Sequence, residues 1–272
     1  QYKLVRSAVK FFDPSQYGIR DMACRSYWGG RRETDFRGLY AGPVAVMDFV
    51  SHYPVCAANQ PLPNCLTKWI NTDDINLIRQ MEGFITITDW AFPEDEKYPC
   101  LCLKYDVRGR LIAPRRGPEA TITIFEFLIA LDYFGLTYKT VSATGFRPTE
   151  NELNNPVRQT LKVFSQMKEA AKQRCLREGS DYNADLEYYQ GKTLSNALIG
   201  KFMQALPAGE DAALMEFLTG NEFFSQLREQ KSGYKYVAQC FAPEWGALIL
   251  GRGRALLGLL FKLTNALTGH TD

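Results

Sequence analysis

The apolar stretch between Trp245 and Leu267 is the feature that most constrains how this chain folds. It approaches the length needed to cross a bilayer, so it is expected either in a membrane or in a protein core. Arg252, Arg254 and Lys262 interrupt it, and charged side chains inside such a stretch disfavour a membrane span. We therefore expect a helix buried in the core of the protein, and no membrane partner.

Composition agrees with a folded chain of substantial size. The 272 residues are 46% hydrophobic and 23% charged, which excludes disorder for most of the chain. The net charge of +2, from 32 basic and 30 acidic residues, does not by itself indicate a nucleic-acid binder, so such a partner must be inferred from local charge. Because the chain starts at Gln1 without a Met and stops at Asp272, we expect a fragment of a longer protein.

The cysteines indicate an intracellular protein. Seven are scattered along the chain without a C-x-x-C pair, which fits a reducing compartment better than a disulfide framework. Cys100 and Cys102 are the closest pair, and on a strand their thiols would lie on the same face. Two buried structural cysteines are favoured there over a zinc site, because no second pair accompanies them.

Glycines and prolines divide the chain into four stretches, 1–70, 71–150, 151–204 and 205–272. In the first, the apolar run 44–49 predicts a buried strand with Asp48 near its end. In the second, alternation at 84–88 and around 101–105 predicts strands of a small β lobe, with a turn at 108–110. A capping-box spacing, Thr123-x-x-Glu126, predicts a helix in the same lobe that ends at Gly135.

The third stretch predicts an antiparallel helical hairpin. Apolar residues at Val157, Leu161, Phe164 and Ala171 follow one stripe of a helix, and basic residues are strongly enriched beside them. The segment 179–183 breaks this pattern, and a second helix is expected from about Ala184 to Gln204. This hairpin is the locally basic part of the chain.

Four short segments carry the chemistry. They are Tyr27-Trp28-Gly29-Gly30-Arg31, Asp48-Phe49-Val50-Ser51-His52-Tyr53-Pro54, Lys192-Thr193-Leu194-Ser195-Asn196-Ala197-Leu198-Ile199-Gly200 and His270-Thr271-Asp272. They resemble, in the same order, the Y-x-G-G segment and the motifs A, B and C of family B DNA polymerases, whose patterns are D-x-x-S-L-Y-P, K-x-x-x-N-S-x-Y-G and Y-x-D-T-D-S. The stretch 98–150 is similar to the protein-primed branch found in phages and linear plasmids.

The spacing of the third segment supports the resemblance independently. Lys192, Asn196 and Gly200 stand at i, i+4 and i+8, so they share one helical face over about 12 Å. Such a face can follow a nucleotide from phosphates to base, with Lys192 at the triphosphate, where it could protonate the leaving pyrophosphate. Gly200 would let the helix approach the base pair. Without the neighbouring motifs, a solvated Lys and Asn on an ordinary helix would be the preferred interpretation.

The resemblance implies a metal-dependent catalytic centre. It assigns Asp48 and Asp272 as ligands of two Mg²⁺ ions, with Mn²⁺ as an alternative, which activate the primer 3′-hydroxyl and stabilise the leaving oxygen. Outside this context, an acid at a strand end is more often a cap or a salt-bridge partner.

The resemblance also implies how substrates bind. It assigns the incoming deoxynucleoside triphosphate to Lys192, Asn196 and to Lys168 on the first hairpin helix. Lys162 and Lys172 are neighbouring basic residues whose alignment with the family is not fixed. The backbone of Ser51, His52 and Tyr53 would face the triphosphate, and the Tyr53 ring would close over the sugar; alternatively, the Tyr-Pro pair ends a strand and packs its ring. Primer-template DNA is assigned to Tyr27, Gly29, Gly30, Arg31, Gly200 and Lys201.

The expected fold is α+β, with a polymerase palm made of an antiparallel sheet backed by helices, a fingers hairpin and a small inserted β lobe. The palm would comprise 1–70 and 205–272, the inserted lobe 71–150 and the fingers 151–204. We expect a DNA-directed DNA polymerase, encoded by a phage, virus or plasmid and active inside a cell or organelle, with a terminal priming protein as a further partner. Residues 1–272 alone are expected to have little or no activity.

Several positions depart from the family patterns. His52 replaces Leu, Ala197 and Ile199 replace Ser and Tyr, and His270 replaces the first Asp of motif C. Ile199 calls the usual minor-groove check on the new base pair into question. His270 either alters metal affinity and pH dependence or is a tolerated substitution, and the second is preferred because neutral imidazole is a poor Mg²⁺ ligand. The rival functions are a non-catalytic nucleic-acid-binding remnant and a different two-metal nucleotidyltransferase or nuclease.

Overall fold

The structure, a computed structural model, describes residues 17–28, 32–34, 42, 49, 51–105, 111–202, 242–264 and 268–270. Its helices are α1 (Tyr17–Ser26), α2 (His52–Ala58), α3 (Ile75–Ile78), α4 (Ile124–Phe134), α5 (Glu150–Leu153), α6 (Pro156–Glu178), α7 (Leu186–Lys201) and α8 (Pro243–Thr264). Its strands are β1 (Arg32–Thr34), β2 (Ile70–Thr72), β3 (Glu82–Ala91), β4 (Lys104–Tyr105), β5 (Leu111–Ile112), β6 (Arg116–Thr123), β7 (Thr140–Phe146) and β8 (Thr268–His270).

A four-stranded antiparallel sheet, in the order β2-β7-β3-β6, forms the framework of the 70–146 region. The alternation in β3 has a direct structural meaning, because Phe84 and Ile85 are both fully buried but in two different cores. Successive side chains of a strand point to opposite faces, so β3 separates the two cores at this point. The strand predicted at 84–88 is confirmed and extends in both directions.

Helix α8 joins the two cores. Its first half, with Trp245 and Leu248, packs into the core that includes α2 and α7, and its second half, with Leu257 and Phe261, packs into the core under the sheet. The prediction of a buried helix in this stretch is confirmed, and among the residues that the structure describes no helix could span a bilayer.

The helix predicted between Thr123 and Gly135 is confirmed as α4. Thr123 caps it with a complete capping box, in which the Thr123 hydroxyl accepts from the Glu126 backbone N–H and the Glu126 side chain accepts from the Thr123 N–H. Gly135 ends it with φ of 67°, a conformation that favours glycine.

The strand expected over 101–105 is mostly wrong. Only Lys104–Tyr105 is strand, paired with Leu111–Ile112, and the predicted turn at 108–110 lies outside the described residues. Cys100, Leu101, Cys102 and Leu103 are all buried, so the segment passes through the core instead of presenting alternate faces. Both cysteines are buried, as expected of structural residues.

The α+β class and the helical hairpin are confirmed. Helices α6 and α7 run antiparallel, joined by a 3₁₀ turn at Tyr182–Ala184, and α7 starts and ends slightly inside its predicted range. Val157, Leu161 and Ala171 of the predicted stripe are buried, and Phe164 packs against the first core. Residues 205–241, and residues 44–48 of the buried strand expected at 44–49, lie outside the described part of the chain. Phe49, the last residue of that expected strand, is exposed and is not in a strand.

Candidate functional site

The turn before α2 has an unusual backbone conformation. Ser51 precedes the helix with φ and ψ of 51°, in the left-handed region that non-glycine residues seldom adopt. Its hydroxyl does not cap α2; it accepts a hydrogen bond from Lys168 Nζ of α6 at 3.0 Å. Strained backbone of this kind clusters at functional sites. The structure thus brings together two residues that the motifs assigned to the same nucleotide.

The next two residues fix α2 to the middle of α8. His52 Nε2 lies 3.0 Å from the carbonyl oxygen of Gly253, and since a carbonyl accepts only, this nitrogen carries a proton. The Phe49 ring stacks on the imidazole with centroids 4.6 Å apart. Tyr53 lies against Gly253, where a Cβ would come within 2.7 Å of the ring.

Tyr53 is 9% exposed, so in this structure its ring belongs mainly to the core. The alternative interpretation of the Tyr-Pro pair was partly correct: the ring does pack inside, but the pair stands in a helix and does not end a strand. The closure of Tyr53 over a sugar remains a prediction.

The two hairpin helices are in close contact beside Lys168. A Cβ on Gly191 would lie 3.0 Å from the Phe164 carbonyl oxygen and 3.1 Å from the Lys168 nitrogen, so glycine permits this contact. Gly191 directly precedes Lys192. The two lysines assigned to the triphosphate therefore stand on neighbouring helices at the same level of the hairpin.

The predicted face of α7 is open to solvent. Lys192, Asn196, Gly200 and Lys201 are exposed, and a Cβ on Gly200 would meet no atom of the described residues within 4 Å. Ile199 is buried in the first core. It is therefore not on the exposed face, where a side chain that checks a base pair would be expected. Of the two neighbours of Lys168, Lys162 is exposed and Lys172 lies over the Tyr182 ring at 5.4 Å.

Ion pairs close the far end of the hairpin. Arg174 binds Asp185 and Glu187, each at 2.7 Å, and Asp185 also caps α7 by accepting from the Tyr188 N–H. The Tyr188 N–H and the Arg174 guanidinium lower the pKa of Asp185 below its ordinary value. The hairpin that carries Lys168 and Lys192 is therefore held at its tip as well as at Gly191.

Residues beside the first and last motif segments pair in a two-stranded antiparallel sheet. Strand β1 follows Tyr27–Arg31 and strand β8 leads into Thr271 and Asp272, with Arg32 opposite His270 and Thr34 opposite Thr268. The pairing thus brings the residues that follow the candidate DNA-binding segment next to His270, the first residue of the last segment. His270 lies in the strand, opposite Arg32.

Several predicted site residues lie outside the described part of the chain: Gly29, Gly30, Arg31, Asp48 and Asp272. Among the residues the structure does describe, no group of three or more His, Cys, Asp or Glu side chains could hold a metal ion. The predicted metal ligands are therefore not tested by geometry. Their chemistry fits, because carboxylate oxygens are the ligands that Mg²⁺ prefers.

Two buried charged residues near the site were missed in the sequence. Arg254 and Glu126 form an ion pair at 2.8 Å and are 0% and 1% exposed. We interpreted Arg254 as a charge that argues against a membrane span, and Glu126 as a helix cap. A buried charge needs a partner, so an arginine in the middle of an apolar helix was a usable signal.

Comparison with known proteins agrees with this arrangement. Residues 17–235, most of the chain, match the family described as DNA polymerase type B, organellar and viral. The chain belongs to this family. No curated protein is significantly similar to it in sequence.

Similar solved structures show the fold of this type B polymerase chain. It is similar to Phi29 DNA polymerase in a ternary complex with primer-template DNA and incoming nucleotide, and in an orthorhombic crystal form, in both cases with a TM-score of 0.63 and 14% identity. A binary complex of Phi29 DNA polymerase with primer-template DNA gives a TM-score of 0.61. The matches cover 99–100% of this chain and 44% of the Phi29 chain, so the chain spans less than half of that polymerase.

Proposed function

We propose that this chain is the palm and fingers part of a DNA-directed DNA polymerase, which adds deoxynucleotides to a primer 3′-hydroxyl under the direction of a template. The observation that carries the proposal is the hydrogen bond between Lys168 and Ser51, because it places the hairpin on the motif A turn. Membership of the type B family and the fold shared with Phi29 DNA polymerase support it.

Different motif residues bind the nucleotide and the primer-template DNA. Lys168 and Lys192 face the triphosphate of the incoming nucleotide, where charge-assisted hydrogen bonds neutralise its developing negative charge. Asn196 and the backbone of Ser51 to Tyr53 complete the nucleotide site. Primer-template DNA lies along Tyr27 to Arg31 and reaches the hairpin at Gly200 and Lys201.

Asp48 and Asp272 hold two Mg²⁺ ions, with Mn²⁺ as an alternative. When bound, such ions activate the primer 3′-hydroxyl and stabilise the leaving oxygen. Lys192 supplies a proton to the departing pyrophosphate. The replacement of an acid by His270 leaves the two aspartates as the carboxylates of the centre.

The domain limits follow from this division. Palm residues are 1–70 and 205–272, the sheet region 71–150 is an inserted lobe, and 151–204 form the fingers. The family description as organellar and viral supports an intracellular setting and a phage, viral or plasmid origin. A terminal protein is proposed as the primer in the complete system.

Primer extension with the protein as encoded by its complete reading frame tests the proposal. A labelled primer-template is incubated with Mg²⁺ and either the complementary nucleotide, a mismatched nucleotide or no nucleotide. Addition of one residue with the complementary nucleotide alone is expected. Salt-sensitive binding without extension would instead identify a non-catalytic remnant, and shortening of the primer without nucleotides would identify a nuclease.

A further inference from the structure

Arg254 lies in the middle of α8 and is completely buried. Its Nε is 2.9 Å from Glu126 Oε1, and its Nη2 lies 2.8 Å from the same oxygen. Burying a guanidinium costs several kcal/mol unless its donors are satisfied, so the remaining contacts of this side chain matter. The ion pair links α8 to α4.

The two Nη atoms of the guanidinium also contact the backbone on both sides of Tyr27. Nη1 donates to the Trp28 carbonyl oxygen at 2.5 Å, and Nη2 donates to the Ser26 carbonyl oxygen at 3.4 Å. Ser26 is the last residue of α1, where carbonyl groups lack helical partners and a positive charge is favourable. One arginine thus fixes the point at which the chain leaves α1.

The partner of Arg254 is itself held rigidly. Glu126 Oε2 accepts from the Thr123 N–H at 3.2 Å and from the Thr123 hydroxyl at 2.9 Å. Gly251 makes room for this cap, because a Cβ there would lie 2.6 Å from Thr123 Cγ2 and 2.7 Å from Glu126 Oε2. The position of the guanidinium is therefore determined by the start of α4 as well as by its own helix.

We propose that Arg254, oriented by Glu126, is a positioning residue for primer-template binding. It acts through Tyr27, whose flanking carbonyls it holds, and the inference rests on the proposed function, in which Tyr27 contacts the primer-template. The geometry requires a planar fork with several donors, which lysine does not provide. The nucleotide site on the hairpin does not include this contact. A change at Arg254 should therefore lower the affinity for DNA and leave the affinity for nucleotide unchanged.

The test compares Arg254→Lys with Arg252→Lys in the complete protein. Arg252 is a matched control, because Arg252 and Arg254 flank Gly253 on the same helix and each pairs with a glutamate. Arg252 contacts Glu82 at 2.6 Å and lies over the Phe125 ring at 4.3 Å. Arg254→Lys is expected to raise the Kd of a labelled primer-template about tenfold, the loss expected for hydrogen bonds from a charged donor, with the KM of the nucleotide unchanged. Arg252→Lys is expected to change neither value.

A second variant covers the case in which Arg254→Lys does not fold. Arg254→Met combined with Glu126→Gln removes both charges together, so neither is left buried and unpaired. Circular dichroism confirms the fold, and the same rise in Kd is expected because no donor then faces the Trp28 carbonyl. Wild-type affinity in this double variant, or an equal loss of nucleotide and DNA affinity in either variant, overturns the inference. A wild-type protein that neither binds nor extends a primer-template would overturn the proposed function itself.

Discussion

Lys168 of α6 donates a hydrogen bond from Nζ to the Ser51 hydroxyl at 3.0 Å. The contact joins the hairpin to the turn before α2, over a separation of 117 residues in sequence. It also explains why the Ser51 side chain leaves its own helix uncapped, although serine is a preferred cap. The lysine is half-buried and already directed to the place where motif A would receive a triphosphate.

Replacing Lys168 by Ala is expected to weaken nucleotide binding. The ammonium group would contribute a charge-assisted hydrogen bond of about 1.5–3 kcal/mol, so the KM of the complementary nucleotide should rise roughly tenfold to a hundredfold. Steady-state primer extension measures the effect. Lys162→Ala is the control, since that side chain is exposed on the same helix. Equal losses in both variants would contradict the assignment of the triphosphate contact to Lys168.

Gly200→Ala is expected to separate stability from function. In the part of the chain that the structure describes, no atom lies within 4 Å of the added methyl group, so the substitution should stabilise the protein by about 0.4–1 kcal/mol. Primer extension should nevertheless fall, because the open face of α7 would no longer approach the base pair as closely. Thermal unfolding and extension are measured on the same sample. A more stable variant with unchanged extension would contradict the role of Gly200.

The same substitution at Gly251 is expected to have the opposite effect on stability. Alanine usually favours a helix over glycine, but here the methyl group would overlap Thr123 and Glu126. We expect destabilisation of about 1–3 kcal/mol, as for overpacking in a core. Urea unfolding of Gly251→Ala beside Gly200→Ala gives the comparison, and stabilisation of both variants would show that α8 and α4 are not in close contact.

The stability that Asp185 gives to the tip of the hairpin is expected to be lost in acid. Its pKa is lowered in the folded protein by the Tyr188 N–H and by Arg174, so its stabilising contribution is complete above the ordinary value of 3.8 and is lost as the pH falls through the lower folded value. Asp185→Asn keeps the cap and removes the charge. We expect a lower Tm for this variant at neutral pH, and a difference from wild type that disappears in acid.

Asp181→Asn is the control for that experiment. The Asp181 carboxylate accepts from Asn183 within its own turn and has a smaller structural role. A difference between wild type and Asp185→Asn that grows as the pH falls would contradict the assigned role of the carboxylate.

Much of the architecture followed from local patterns. The α4 helix was predictable because Thr123, Glu126 and Gly135 carry its start and end signals, and the hairpin was predictable because an apolar stripe and a breaker at 179–183 define it. The segment 100–103 could not be predicted in the same way. Its side chains were expected to alternate between the two faces of a strand, but all four are buried, and which sides of a segment are covered depends on residues distant in sequence.

The site was only partly predictable. The family resemblance assigned Ser51, Lys168 and Lys192 to the nucleotide, and the structure shows that Ser51 and Lys168 are in contact. The ion pair between Arg254 and Glu126 depends on contacts across 128 residues, which no local pattern carries. The pairing of β1 with β8 is also long-range, and each strand has only three residues, too few to show a strand pattern.

Asp48 is the residue on which the central claim depends most directly. The complete protein and its Asp48→Asn variant are compared by single-turnover primer extension with Mg²⁺ and a saturating complementary nucleotide, after circular dichroism and primer-template binding have shown that both fold and bind DNA. If Asp48 is a metal ligand of a polymerase, the variant should extend the primer on the order of a thousandfold more slowly while it binds DNA normally. Extension at the wild-type rate by Asp48→Asn would contradict the account.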